Sequence, residues 1–163
     1  MRQQKYCMKI LEGSYPLIYM VFNERQHGVT QAQLKKFQVA VTEMAIEAES
    51  ATDLNQQLRC QTHLDAMNSQ IRTLQKELQE YQKLKAGKIT KLNFDSLTQL
   101  PEALIKARIV RGLTQEQLGE IMGLKAQQIQ RYEATLYAGA SLTKIIAVQK
   151  ALNIEIKEEV VFN

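Results

Sequence analysis

Apolar residues recur at alternating steps of three and four in two long segments of the chain. This spacing is typical of the buried edge of a coiled-coil-like helix. A polar interruption at residues 49–53 separates the segments. Thr30 and Asp53 are suited to cap the two predicted helices. The first stripe consists of Leu34, Phe37, Val41, Met44 and Ala48, and the second of Leu64, Met67, Ile71, Leu74, Leu78 and Tyr81.

Each stripe needs a partner, because a single helix cannot bury its own apolar edge. A helix from Asp53 to Lys85 would be about 50 Å long, at about 1.5 Å per residue. The two helices can fold back as an antiparallel hairpin, or a second copy of the chain can supply the matching stripe. Both arrangements together would give a four-helix dimer. The pattern alone leaves these alternatives open.

Shorter helices are predicted between residues 96 and 153. Their boundaries follow from caps at Ser96, Thr114 and Ser141, from Pro101 near the start of the first helix and from a turn at Gly123. The predicted helices cover residues 102–111, 115–122, 125–132 and 142–152. Residues expected in the core are Leu104, Ile105, Arg108, Ile109, Leu118, Ile121, Ile129, Leu142, Ile145, Ile146 and Val148.

The sequence therefore predicts an all-α protein with a helical hairpin or coiled coil before a second helical domain. The tail alternates and carries β-branched residues, which favours either a short edge strand or a frayed end. Gly119 is expected where a small residue lets the third short helix cross the second closely. The predicted divisions are an N-terminal extension (1–29), an arm (30–86), a linker (87–95), a helical domain (96–153) and a tail (154–163).

The exposed face predicted for the helix at residues 125–132 is polar to basic and free of acidic residues. Gln can bond adenine through two hydrogen bonds, Arg can do so with guanine, and Ala can contact a thymine methyl group. This composition favours a nucleic-acid surface, although Gln is abundant throughout the chain. The candidate residues are Lys125, Ala126, Gln127, Gln128, Gln130 and Arg131.

Residues 113–133, LTQEQLGEIMGLKAQQIQRYE, resemble the helix-turn-helix of the XRE family, which includes phage repressors and Cro proteins. The resemblance extends over about residues 97–154 and implies a repressor-like domain of four to five helices. It implies that five residues face the DNA groove, that Gln130 lies near the DNA backbone and that Gln115 holds a phosphate. The groove-facing residues are Lys125, Ala126, Gln127, Gln128 and Arg131. The resemblance also implies a structural ion pair between Arg108 and Glu133. The chain departs from the family after Glu133, where relatives often carry Asn-Gly.

The longer arrangement is similar to bacterial XRE-type regulators with a helical N-terminal region. In those proteins an Asn-Glu-Arg-Gln segment, here residues 23–26, precedes a Thr-x-Ala-Gln-Leu helix, here residues 30–34. The usual start would then lie near Met20. Residues 1–19 are therefore expected to be an upstream extension with no fold of its own.

Composition narrows the classes of function. The net charge of +4 permits an anionic partner without requiring one. Neither the cysteines nor the histidines have metal-ligand spacing, so no metal or cofactor is expected, and a reducing compartment fits. The resemblance to phage repressors and bacterial regulators implies a bacterial or phage cytoplasm. The sequence shows no catalytic motif, signal peptide or transmembrane run, which argues against an enzyme or a membrane protein. The residues concerned are Cys7, Cys60, His27 and His63.

Three functions fit these features. The leading hypothesis is a homodimeric transcriptional repressor that binds a two-fold-symmetric operator in double-stranded DNA. The second is an antitoxin that regulates its own operon and captures a toxin protein through the arm. The third is an interaction protein that uses the arm and does not bind DNA, with the helix-turn-helix serving only as a fold.

Overall fold

The computed structural model describes residues 20–157, and all regular structure in that range is helical. The all-α prediction is confirmed for this part of the chain. The described residues divide into two compact units, with the boundary between residues 80 and 81. The helices are α1 (Glu24–Ser50), α2 (Leu54–Lys85), α3 (Leu100–Val110), α4 (Gln115–Ile121), α5 (Ala126–Ala134) and α6 (Leu142–Ala151), with a 3-10 turn at Leu97–Gln99 before α3.

Two predictions concern the ends of the chain. Residues 154–157 form no strand. The remainder of the predicted tail strand and the predicted extension at residues 1–19 lie outside the described residues. Between residues 20 and 157, no helix combines the length and the apolar character needed to cross a membrane.

Helix α1 begins earlier than the sequence analysis predicted. Asn23 is its N-cap, and the Asn23 side-chain oxygen accepts a hydrogen bond from the Gln26 amide nitrogen at 2.9 Å. The Gln26 side chain in turn accepts from the Phe22 amide nitrogen at 2.7 Å. Two bonds thus hold the first turn. The cap predicted at Thr30 is wrong, because that residue lies inside the helix.

Helices α1 and α2, the arm, pack against each other through the two predicted stripes. Phe37 of α1 and Met67 and Leu74 of α2 are buried at the centre of this contact. The short connection at residues 51–53 makes the pair an antiparallel hairpin. Each apolar stripe therefore packs against the other helix of the same chain, which is the hairpin alternative of the sequence analysis. The surrounding partly buried residues are Leu34, Ala40, Val41, Met44, Leu64 and Ile71.

The start of α2 follows its predicted signal, and a glycine follows its end. The Asp53 carboxylate accepts hydrogen bonds from the amide nitrogens of Asn55 and Gln56, each at 3.3 Å. Gly87 has a φ of +65°, in the left-handed region that glycine adopts without a steric penalty, and its amide nitrogen donates to the Leu84 oxygen at 3.0 Å. The connection to the next helical turn contains no strand.

The second unit has an apolar core shared by its four helices. Leu104, Ile105, Leu118, Ile129 and Val148 are at most 1% exposed. Burying side chains of this size contributes roughly 1.5–3 kcal/mol each. These five predictions are confirmed, and they show that all four helices contribute to one core.

Three residues predicted for that core are instead exposed: Ile121 by 55%, Leu142 by 71% and Ile146 by 40%. Ile121 ends α4 and Leu142 begins α6, so both lie beyond the packed middle of their helices. Ile146 lies one turn after Leu142 and shares its side of α6. The helical spacing was correct for these residues, but it did not show where each helix leaves the core.

Candidate nucleic-acid interface

Helix α4 begins at a capping box. The Thr114 hydroxyl accepts a hydrogen bond from the Gln117 amide nitrogen at 3.1 Å, and the Gln117 side chain accepts from the Thr114 amide nitrogen at 2.8 Å. Each side chain satisfies a backbone donor that has no partner within the helix. The predicted start of this helix is confirmed, and the cap fixes its first turn.

A glycine turn connects α4 to α5. Gly123 has a φ of +64°, which favours glycine, and the Leu124 amide nitrogen donates to the Gly119 oxygen at 2.8 Å. The Lys125 amide nitrogen then donates to the Gln128 side-chain oxygen at 3.2 Å. The chain therefore leaves one helix and enters the next within a few residues.

Gly119 lets the backbone after this turn approach α4 closely. A Cβ atom at this position would lie 2.7 Å from the Leu124 oxygen and 3.4 Å from the Ala126 nitrogen. The first distance is shorter than a non-bonded contact allows, and both neighbours are backbone atoms that cannot rotate away. The predicted need for a small residue here is confirmed.

Helix α5 has one buried side and one solvent-facing side. Ile129 and Glu133, four residues apart, are both 0% exposed. The predicted groove-facing residues lie on the remaining surface. Lys125, Gln127, Gln130 and Arg131 are exposed, whereas Ala126 and Gln128 are partly buried.

A buried ion pair joins α5 to α3. The Arg108 and Glu133 side chains are 3% and 0% exposed. Arg108 Nε donates to Glu133 Oε1 at 2.5 Å and Nη2 donates to Oε2 at 2.7 Å, which is the two-point geometry that a guanidinium makes with a carboxylate. Arg108 Nη1 also donates to the Leu113 carbonyl oxygen at 2.8 Å. The structure thus brings the two residues together and ties them to the segment that precedes α4.

Gln115 is part of this buried network. It is 8% exposed, and its Nε2 donates to Glu133 Oε2 at 2.7 Å. The resemblance implied that this side chain holds a phosphate. In the structure the amide instead lies inside the protein, where it gives Glu133 a further donor, so we leave Gln115 out of the DNA-contacting set.

A comparison of the sequence with models of protein families agrees with the helix-turn-helix geometry of α4, the turn and α5. Residues 104–158 match the model of a helix-turn-helix family. We call this matched part of the chain, together with the start of α3, the helix-turn-helix domain. The match includes α4, α5 and α6 and most of α3, and it supports a DNA-binding regulator of the XRE type. Searches of curated proteins and of solved structures gave no match to the chain.

In helix-turn-helix proteins the second helix of the motif enters the major groove, and in this helix-turn-helix domain that helix is α5. Its exposed charges are all positive. Between residues 121 and 134 the sequence has one acidic residue, Glu133, and that carboxylate is buried against Arg108. Lys125 and Arg131 therefore face solvent without an acidic neighbour on their own helix, which favours an anionic ligand.

Tyr137, in the loop after α5 of the helix-turn-helix domain, was missed by the sequence analysis. It is 4% exposed, and its ring stacks on that of Tyr132 with centroids 5.9 Å apart. Burial raises the pKa of its phenol, Glu133 raises it further, and Arg108 opposes the shift. Leu136 and Tyr137 have φ values of +48° and +55°, a conformation that costs a non-glycine residue about 1–2 kcal/mol. No local pattern signals this residue, because its burial depends on the packed helices around it.

Proposed function

We propose that the chain is a sequence-specific transcriptional regulator that binds double-stranded DNA as a dimer and represses its target. The observation that carries this proposal is the outward face of α5. Gln127 and Arg131 are exposed there, while Ile129 and Glu133 hold the opposite side in the core. The face is therefore accessible to a ligand, and the burial of Ile129 and Glu133 on the opposite side fixes the position of α5.

The exposed side chains suit different parts of a duplex. Gln127 and Arg131 lie four residues apart, and so share one side of the helix. An amide matches the N6 and N7 edge of adenine, and a guanidinium matches the O6 and N7 edge of guanine. Lys125, which caps the start of α5, and Gln130 are also exposed and suit the phosphate backbone. Ala126 is small enough to contact a thymine methyl group.

The partly buried Gln128 takes a lesser part in this scheme. Its side-chain oxygen accepts from the Lys125 amide nitrogen, so one end of its amide holds the start of α5. The NH₂ end remains able to donate to a base or phosphate. We therefore expect Gln128 to orient the helix first and to contact DNA second.

A dimer supplies what a single domain lacks. One helix-turn-helix domain contacts a single half-site, and two domains can contact half-sites about 34–36 Å apart. Exposed apolar side chains occur in both units and support pairing of chains. They include Leu142 and Ile146 in the helix-turn-helix domain and Val39 and Ile46 in the arm.

Selection of bound sequences from random duplex DNA with the full chain tests the proposal. We expect enrichment of a two-fold-symmetric sequence with half-site centres about 34–36 Å apart, or a multiple of that spacing. The Gln127→Ala, Arg131→Ala double variant should lose the enrichment. The Arg72→Ala variant, which removes an exposed charge from the arm, should keep it. A wild-type protein that enriches no sequence would overturn the proposal.

A further inference from the structure

Helix α1 carries a second apolar stripe, which we call the outer stripe. It consists of Ala32, Val39 and Ile46, which recur every seven residues and are all exposed. Val39 is 59% exposed and Ile46 is 64% exposed. Phe37, in the buried contact with α2, lies about 200° around the helix from Val39, at about 100° per residue. The hairpin therefore buries one side of α1 and leaves the outer stripe uncovered.

Two opposite charges lie beside the outer stripe on the same side of it. Lys36 and Glu43 are about 60° and 40° from Val39 around the helix, in the same rotational direction. Both residues are exposed, and neither takes part in the ion pairs found between residues 20 and 157. Glu47 lies one turn after Glu43, so two like charges face each other there, which destabilises an isolated helix. One flank of the stripe thus carries a positive charge before Val39 in the sequence, at Lys36, and a negative charge after it, at Glu43.

We propose that two copies of this chain pair through their outer stripes, with the two α1 helices antiparallel about a twofold axis close to Val39. This inference rests on the dimer of the proposed function and assigns a surface to it. Near the axis Val39 meets Val39 of the second copy. The small Ala32 lies level with the larger Ile46 of the second copy.

The charges select the antiparallel direction. A twofold axis perpendicular to the two helices keeps each flank of the stripe facing the same flank of the second copy. Lys36, three residues before Val39, then lies level with Glu43 of the second copy, about four residues after it. Parallel pairing would place Lys36 beside Lys35 of the second copy instead. Opposite charges therefore meet in one direction and like charges in the other.

Further exposed apolar residues fall within the same overlap. Helix α1 has 27 residues, which gives a length of about 40 Å. With the axis near Val39, the Val29 end of one α1 lies level with the hairpin tip of the second copy. Leu54 is exposed by 77% at that tip, and Val29 is itself exposed by 59%. The pairing would thus bring exposed apolar side chains level with each other near both ends of the α1 pair as well as at its centre.

Sedimentation equilibrium of the full chain without DNA tests the pairing by charge exchange. We expect a wild-type dimer, and Lys36→Glu and Glu43→Lys should each weaken it at least about tenfold, because like charges then face each other twice. The Lys36→Glu, Glu43→Lys double variant should return to within about threefold of wild type, because opposite charges again meet. Val39→Asp, which places two carboxylates near the axis, should dissociate the dimer. Far-UV circular dichroism should show an unchanged helix content in every variant.

Lys91→Glu is the matched control, because it makes the same change of charge outside the arm and should leave the dimer intact. A dimer that Lys36→Glu does not weaken, or a double variant that fails to recover, would overturn the pairing. So would a wild-type monomer, whether or not it associates with a different protein. A dimer that enriches a two-fold-symmetric sequence but is not weakened by Lys36→Glu would overturn the arm interface alone. A dimer that enriches no DNA sequence would instead overturn the proposed function.

Discussion

The arm and the helix-turn-helix domain maintain their structures through different interactions. The arm consists of two helices of 27 and 32 residues that share a line of apolar contacts around Phe37, Met67 and Leu74. The helices of the domain have only 7 to 11 residues, a length that is not stable in isolation. There, a buried ion pair between Arg108 and Glu133 adds to the apolar core.

This difference affects what each region can present to a partner. A long helix with one buried edge leaves most of its surface exposed, and in α1 that surface includes the outer stripe. In the domain, the hydrogen bonds of Arg108 and Gln115 to Glu133 hold α5 on its buried side. A helix held in this way can place a few side chains accurately against a rigid duplex, as base readout requires.

The largest effect should come from breaking the buried ion pair. Glu133→Gln removes the charge that Arg108 faces and leaves a buried guanidinium without a counter-charge. We expect the domain to lose about 3–5 kcal/mol of unfolding free energy, measured by urea denaturation. The matched control Arg131→Gln changes an exposed charge and should alter stability by less than about 0.5 kcal/mol. Equal stability of the two variants would show that the network is dispensable.

The arm should respond most to the loss of apolar volume. Phe37→Ala removes the buried aromatic ring of α1 and should cost about 3 kcal/mol, followed by helical circular dichroism during urea unfolding. Gln38→Ala, at an exposed neighbouring position, should have little effect. If both variants unfolded like wild type, the hairpin contact around Phe37 would not be what stabilises the arm.

An effect of intermediate size is expected at Gly119, where the backbone of Leu124 lies close to α4. Gly119→Ala places a methyl group against the Leu124 carbonyl and should destabilise the domain by about 1–3 kcal/mol, although alanine is the better helix former by about 1 kcal/mol. Glu120→Ala, on the same helix and exposed, is the control for helix propensity. Thermal unfolding that moved upward in Gly119→Ala would contradict the tight crossing.

The smallest effect concerns pH and the arm. Partial burial, and then the nearby Glu80, raise the pKa of Glu77 above its ordinary value of 4.5. The folded state therefore holds this proton more tightly than the unfolded state, and stability falls as pH rises through the ordinary value and the raised one. Glu77→Gln should be slightly more stable than wild type at pH 7 and equal to it at pH 3. A melting-temperature difference that is the same at both pH values would exclude this linkage.

The parts of the fold that the sequence predicted well depend on neighbouring residues. The caps at Asp53 and Thr114 and the small residue at Gly119 each act within a few positions, so their chemistry is visible in the sequence. The start of α1 shows the limit of this reasoning. Asn23 and Thr30 both have capping chemistry, and only the bond from the Gln26 amide nitrogen to Asn23 shows which one begins the helix.

The parts that could not be predicted depend on contacts between distant residues. Gln115 was assigned to the DNA surface, and its burial follows from a hydrogen bond to Glu133, which is 18 positions away. Tyr137 is buried within the folded domain by residues that no local pattern connects to it. The exposed face of α5 was easier to predict, because helical spacing places Gln127 and Arg131 on the side away from Ile129.

Binding of a labelled duplex carrying the selected sequence, measured by fluorescence anisotropy across a range of salt concentrations, tests the central claim most directly. The account predicts that wild-type affinity falls linearly with salt on logarithmic axes. It also predicts that Arg131→Ala weakens binding about tenfold or more and relaxes the preference at one base pair, whereas Arg72→Ala binds like wild type. Equal affinity and equal salt dependence in Arg131→Ala and wild type would contradict the claim that the exposed face of α5 reads DNA.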